Sequence, residues 1–570
     1  MAAMTDRLFA EQFQIVTDPV RDSVGLSAIF AVLSLLTLFL LLGVFRVRAW
    51  LAGVVALVVA LIVAITVYSM PVGQALLSAS EGAAFGFFPI LWIVVNAIWV
   101  YHLTVVSGHF DVLRRSMERV SPDLRIQAII VAFCFGALLE ALAGFGTPVA
   151  VTVVMLMALG FPPIRAASVA LIANTAPVAF GALATPITTL GTVAAGAGTD
   201  PRLNADTLGA MVGRQTPILA VVVPLVLVAV VDGRRGVRQT WPAALVAGVV
   251  FAAGQFVASN HISVPLTDIV ASLVAAAAVV ALLRVWQPSE TPELAVDGAA
   301  RRAETVRPAA AGASTVVRPD AAAEVARAYA PYFVIIVIFA IANLGPIKDT
   351  LAREPWTVVL AWPGLDVLGA DGKPLSSANF TFGWLPAAGT LMIIAGVLTA
   401  FVLRIRPGAA VKAYGRTCLE LRQPIVTVTA VLALAYVLNQ SGQTSTLGAF
   451  LATAGGVFLF LSSVLGWIGV AVTGSDTSAN ALFGALQVQT AAKAGLDPVL
   501  LAAANSSGGV LGKMISPQNL AIAAGAVGMA GREGDIFRKV VLWSVVLLLF
   551  MCVLVTLQGT PVLDWMVPAG

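Results

Sequence analysis

The sequence predicts an all-α polytopic membrane protein with roughly 12–14 membrane segments, and three observations predict it. Of the 570 residues, 59% are hydrophobic and only 11% charged, too few polar groups to cover the surface of a soluble domain. Apolar runs near the ~20 residues needed to cross the hydrocarbon core recur from end to end. Those runs do not alternate, so they lack the period-two pattern of a membrane β-barrel, and a helix is the structure that satisfies its own backbone in lipid.

In chain order the clearest runs are Leu26–Phe45, Leu51–Ser69, Val212–Val231, Ala330–Leu344, Leu385–Leu403 and Val541–Leu557. The first is preceded by a mixed-charge stretch with Asp18 and Asp22 and lacks a small-residue cleavage site, so no cleavable signal peptide is expected. Basic clusters mark alternate loops: Arg46 and Arg48; Arg114, Arg115, Arg119 and Arg125; Arg234, Arg235 and Arg238; Arg404 to Arg422; Arg532, Arg538 and Lys539. The turns between them at Met70–Ala79, Ser259–Pro265 and Asn439–Thr446 carry no Lys or Arg. This asymmetry predicts cytoplasmic basic loops and both termini outside. The stretch 287–327 is rich in Pro, Ala, Glu and Arg with no apolar face, and reads as a flexible cytoplasmic linker. It divides an N-terminal membrane half, 1–286, from a C-terminal half, 328–570. A second polar stretch, Lys348–Thr381, reads as an external loop with some short structure.

The two halves share a pattern. Counting from Asn174 and from Asn505, a hydroxyl residue falls at +1 (Thr175, Ser506), Gly at +7 (Gly181, Gly512), Thr or Ser at +11 (Thr185, Ser516) and Pro at +12 (Pro186, Pro517). The unit around the first, 127–200, starts at a cytoplasmic cluster; the unit around the second, 447–530, starts outside. Opposite entry sides are the mark of inverted repeats with broken or re-entrant helices. Breaks are expected at Gly144–Pro148, Pro162–Pro163 and Ala182–Pro186, and at Gly474–Thr477, Gly495–Pro498 and Gly512–Pro517.

Broken helices free polar backbone at membrane depth, where half-helix N-termini suit an anion. Glu140 precedes the break at Gly144 and Gly146. A charged, unpaired carboxylate there costs about 2.5–3.5 kcal/mol or more, so it is either a proton or cation carrier or part of a helix–helix hydrogen bond. Asp476 is the corresponding acid of the second unit, set among Ser475, Thr477 and Asn480: either a ligand-rich site or a loop tip with Asp476 as helix cap. The Asn174–Pro177 and Asn505–Gly509 motifs, with Thr175, Ser506 and Ser507, are read as tight turns offering amides to a carboxylate, or else as polar glue between helices. Lys513 is either a fixed positive charge for a carboxylate or a snorkelling side chain. Ser516 and Gln518 complete the candidate substrate-binding set.

Other chemistry is not signalled. Cys134, Cys418 and Cys552 have neither metal nor disulfide spacing, and His102, His109 and His261 are isolated. The stretch Ser507 to Met514 resembles a phosphate-binding loop but fails at both ends. No cofactor, metal or nucleic-acid partner is expected. An enzyme is therefore the least favoured class, and a channel or a carrier remains.

At these motifs the chain resembles the lactate permease family of bacterial secondary transporters. The matching stretches are Phe135–Ala150, Asn174–Ala182, Thr473–Phe483 and Asn505–Ala521, with Asp232-Gly-Arg-Arg-Gly and Thr240-Trp-Pro-Ala also fitting. Thr147 departs from the pattern, and 287–327 follows none. The resemblance implies uptake of L-lactate, D-lactate or glycolate by proton symport at the bacterial inner membrane, with Glu140 and Asp476 as coupling candidates. It also implies an inverted-repeat, hairpin-bearing architecture. The alternatives are an uncoupled organic-anion channel and a cation-coupled carrier of another small carboxylate. The sequence is compatible with an oligomer.

Overall fold

The computed structural model describes residues 12–288 and 321–569, apart from Arg119, Phe145, Asn343, Asp371 and Gly531. The fold is helical, as its apolar runs require. Among the described residues eleven helices are long and apolar enough to cross a membrane, from Val24–Val44 to Glu533–Gln558. Three shorter apolar helices, Thr147–Ala158, Pro163–Ala173 and Ala388–Val402, accompany them. The strands described are short. Phe13–Gln14 pairs with Val367–Leu368, and Val358–Ala361 with Asn379–Phe382, so the polar stretch expected as a loop carries most of them.

The polarity is that of a protein immersed in lipid. Ile29, Phe45, Ile62, Phe87, Phe333 and Phe401 are exposed, while Glu81, Asp268, Asn505 and Gln487 are buried. Apolar side chains face outward because the surrounding solvent is hydrocarbon; polar ones turn inward because only protein can satisfy them. The span Leu124–Ala143 is wholly buried, whereas only 28% of Ala322–Ala342 is. The Glu140 helix is therefore central and the first helix after the linker peripheral.

Breaks form where Gly and Pro allow them. In the first unit the chain runs through helix Gly136–Ala143, turns at Gly144 and Gly146 (φ 85°), and returns as Thr147–Ala158. After Pro163–Ala173 the helix stops at Asn174. Ala182, Leu183 and Ala184 then take three consecutive left-handed conformations (φ 44°, 56° and 56°) before a regular helix resumes. Left-handed backbone on residues with a Cβ costs roughly 1–2 kcal/mol each, so packing must impose it. In the second unit Phe458–Thr473 turns at Gly474 (φ 75°) into Asp476–Ala494, followed by Pro498–Gly512, a 3-10 turn at Lys513–Ile515 and Pro517–Ala526.

Two expectations change. The turn expected at Asn505–Gly509 is not formed: all of it lies inside the continuous helix Pro498–Gly512. Its glycines serve close packing instead. A Cβ on Gly508 would strike the Ser463 backbone, and one on Gly509 would lie 2.5 Å from Asp476 Oδ1. Small residues let membrane helices approach this closely. The linker is also shorter than 287–327, because helix Ala322–Ala342 already contains 322–327; residues 289–320 lie outside the described residues.

Candidate functional site

Glu140, Asp476 and the broken segments beside them converge on one cavity of about 260 Å³. Glu140 and Gly144 line it from the first unit, with Gly181, Ala182 and Thr185 from the broken segment. Ser475, Asp476, Thr477, Lys513 and Gln518 line it from the second. Trp50, Gln423 and Thr427 close the remaining side from helices Ala49–Thr66 and Arg422–Gln440.

The centre of the site is an ion pair. Lys513 Nζ donates to Glu140 Oε1 at 2.6 Å across 373 residues of sequence, with side chains only 8% and 3% exposed. Of the readings left open, only the snorkelling one is overturned: Lys513 is buried against an acid, and Glu140 is held in an ion pair between two helical segments. Among the described residues Glu140 Oε2 has no hydrogen-bond partner. Its position is tightly set on the other side, because a Cβ on Gly181 would come within 2.7 Å of Glu140 Oε1. Removing one partner of such a buried pair costs about 3–5 kcal/mol, because the other is left as an uncompensated charge.

Ser475 caps helix Asp476–Ala494, accepting from the Ser478 N–H at 3.3 Å, so the cap is Ser475 rather than Asp476. This puts a helix N-terminus, with its partial positive charge, in the cavity wall beside Lys513. Asp476 Oδ2 accepts from Ser506 Oγ (2.6 Å) and Asn480 Nδ2 (3.3 Å), while Oδ1 has no partner among the described residues.

Several predicted residues stand behind the cavity and do not line it. Asn505 bonds Asn480 (2.9 Å) and accepts from Gln487 (3.2 Å), which in turn bonds Ser462. It is the hub joining three helices, the polar-glue role. Ser507 donates to Gln215 (2.6 Å), and Thr175 to the Ile172 carbonyl (2.7 Å). Asn174 ends helix Pro163–Ala173, its Nδ2 without a partner among the described residues. Ser516 caps Pro517–Ala526, and Gly146 packs against Ile522 and Asn519.

Sequence reasoning missed Thr185, Gly181, Trp50, Gln423 and Thr427 in the lining. It also missed two wholly buried acids. Glu81 accepts from Gln440 Nε2 (2.8 Å), and Asp268 from Gln255 Nε2 (2.9 Å); that Gln255 amide also reaches the Ala176 carbonyl (3.1 Å) of the broken segment. Each acid stands alone in an apolar run, which is a readable signal.

Comparison with known proteins places this geometry in context. A family model described as L-lactate permease matches residues 27–562. An L-lactate permease of Bacillus subtilis is 41% identical over 96% of this chain and 99% of its own length. The glycolate permease GlcA of Escherichia coli is 41% identical over 94% and 96%. Among solved structures, Neisseria gonorrhoeae MtrF, described with a class of antimetabolite efflux pumps, aligns over 91% of this chain and 97% of its own at 12% identity and a TM-score of 0.48.

Proposed function

The chain belongs to the L-lactate permease family, and from that premise we propose that it takes up L-lactate, with D-lactate and glycolate as further substrates, by proton symport across the bacterial inner membrane. The relatives' names supply the substrate class: L-lactate for most, glycolate for one. The observation that carries the coupling is the buried Lys513–Glu140 pair in the cavity wall.

The mechanism is an exchange of carboxylates. An arriving lactate presents the same group that Glu140 presents, and the two compete for Lys513. Lactate is helped by the N-terminus of Asp476–Ala494, while Ser475, Thr477 and Thr185 offer hydroxyls to the substrate's own 2-hydroxyl. Once lactate holds Lys513, Glu140 is a buried carboxylate without a cation, a state disfavoured by several kcal/mol. A proton on Glu140 removes that penalty. The empty site holds one positive and one negative group, and the loaded site holds Lys513, lactate and a neutral Glu140. Net charge is the same in both, so one proton travels with one lactate.

Proteoliposomes with an imposed pH gradient, acid outside, test the reading. Labelled lactate should accumulate against its own gradient, and unlabelled glycolate should compete. Equilibration without accumulation would make the protein a channel. Accumulation that follows a sodium gradient and ignores pH would make it a sodium-coupled carrier.

A further inference from the structure

We infer that Asp268 holds a proton of its own, separate from the coupled one, and with it locks Gln255 in the orientation that positions the broken segment beside Glu140. The inference deepens the proposed uptake of lactate and rests on that reading for its link to binding. Asp268 lies in the first turn of helix Thr267–Leu283 and is wholly buried. That helix packs on Gly136–Ala143, which carries Glu140, and on Thr216–Val257, which carries Gln255. A carboxylate in a first turn is ordinarily held by free backbone N–H groups. Here, among the described residues, the donor to Asp268 is the Gln255 side chain alone.

The Gln255 amide nitrogen uses both of its hydrogens, one on Asp268 Oδ1 (2.9 Å) and one on the Ala176 carbonyl (3.1 Å). A carbonyl only accepts, so the amide cannot be turned over without setting its oxygen against Ala176. Gln255 Oε1 and Asp268 Oδ2 remain, two buried acceptors without a partner among the described residues. One hydrogen on Oδ2 serves both, because a carboxylic acid and an amide bond each other in both directions. The same pattern recurs elsewhere in the molecule. Gln440 Nε2 donates to the buried Glu81 Oε2 at 2.8 Å, and Glu81 Oε1 and Gln440 Oε1 are again the two acceptors left over.

Charge gives a second reason. The elements packed on the Asp268 helix carry Glu140, Cys134 in Ala128–Phe135, His261 in Ala258–Ile262, and Asp232, Arg234, Arg235 and Arg238 in Thr216–Val257. The last four lie roughly 25 Å or more along the helix from Gln255. The charges that act on Asp268 are Glu140 and its partner Lys513. An ionised Asp268 would set two carboxylates against one lysine and give an arriving anion a net negative site. A protonated Asp268 leaves the Lys513 charge to the substrate. Its lock reaches the site through Ala176, since the same broken segment supplies Gly181 against Glu140 and Ala182 and Thr185 to the cavity lining.

The test uses the purified full chain in lipid and the variants D268N, D268A and Q255M. Infrared spectra at neutral pH should show a protonated-carboxyl stretch in the unaltered protein that D268N lacks. Calorimetric lactate titration and lactate–lactate exchange give the second readout. D268A and Q255M should raise the Kd and the half-saturation for exchange about tenfold, the size of one or two lost buried hydrogen bonds, with the maximal exchange rate within about twofold. D268N should restore the Kd to within about twofold, because its amide donates to Gln255 Oε1 as the acid does. Q255M leaves the acid in place and decides the matter if D268A does not insert. A D268N protein as weak as D268A, or one with the full protonated-carboxyl stretch, would overturn the proton on Asp268. An unchanged Kd in Q255M would overturn the positioning role. Neither readout needs a pH gradient, so an unaltered protein that fails to accumulate lactate would overturn the coupling and not this inference.

Discussion

Lys513 donates to Glu140, and the two are buried together where a substrate carboxylate is proposed to compete. Lys513→Met should therefore abolish lactate binding and also destabilise the protein by about 3–5 kcal/mol, because Glu140 loses its cation. The double variant E140Q/K513M should recover most of the stability and none of the binding, a non-additive cycle read by thermal unfolding and by calorimetric lactate titration. If the double variant loses the sum of the single effects, the pair is not coupled. Gly181→Ala should act on the same bridge by sterics, since its Cβ would press on Glu140 Oε1; overpacking of this kind costs about 1–3 kcal/mol. At this scale the sequence was half legible. A single carboxylate in an apolar run marked Glu140, and would equally have marked Glu81 and Asp268. The partner of Glu140 was invisible, because pairing across 373 residues is a product of the fold and leaves no local pattern.

At the scale of elements, the breaks at Gly144–Gly146, Gly474 and Lys513–Ser516 were readable because Gly and Pro tell directly where a helix fails. Asn505–Gly509 misled for a definite reason. The same small and polar residues suit a turn or a tight helix seam, and only the neighbouring helix Phe458–Thr473 decides between them. Replacing Asn505 with Leu should accordingly act on stability, leaving Asn480 and Gln487 each short of a partner at about 1–3 kcal/mol. The unfolding midpoint of the variant should fall while the KM for lactate stays within about twofold, below the 1.4 kcal/mol that a tenfold change represents. A raised KM at an unchanged midpoint would return Asn505 to the substrate site. The break at Ala182–Pro186 was readable, but its left-handed form was not, since alanine and leucine favour right-handed helix. Ala184→Gly relieves one such residue and should raise the midpoint, by up to about 1 kcal/mol of stability; a lowered midpoint would show that the conformation is not strained.

For the whole molecule, the shared Asn, Gly and Pro register and the two hairpin-like breaks support the proposal that the units around 127–200 and 447–530 are inverted repeats moving together against the rest. At one end of the molecule Arg202 ties them, bonding both Asp200 (2.7 Å) and Asp497 (2.9 Å). Helix Arg422–Gln440 packs on Ala49–Thr66 and Val72–Phe85 and also on Asp476–Ala494 of the second unit, so on this proposal the seam between the two bodies runs along it. Ala435 of that helix and Ala481 of the second unit line a common small cavity. Cysteines at both, in a background without Cys134, Cys418 and Cys552, should cross-link and stop transport, with activity restored by a reductant; a cross-linked protein at full activity would exclude movement at this seam. Deleting 289–319 should leave uptake intact, and lost uptake in a stable deletion protein would assign that stretch a gating role. The claim at the centre of the account is that Glu140 takes up one proton as lactate takes Lys513. Its most direct test is the lactate affinity of the unaltered protein and of Glu140→Gln as a function of pH, joined to counterflow in proteoliposomes. By linkage the Kd of the unaltered protein should rise about tenfold per pH unit on the alkaline side. In Glu140→Gln the Kd should be flat, lactate–lactate exchange should survive, and accumulation driven by a pH gradient should be lost. A Glu140→Gln protein that still concentrates lactate on a pH gradient, with the same pH-dependent affinity, would contradict it.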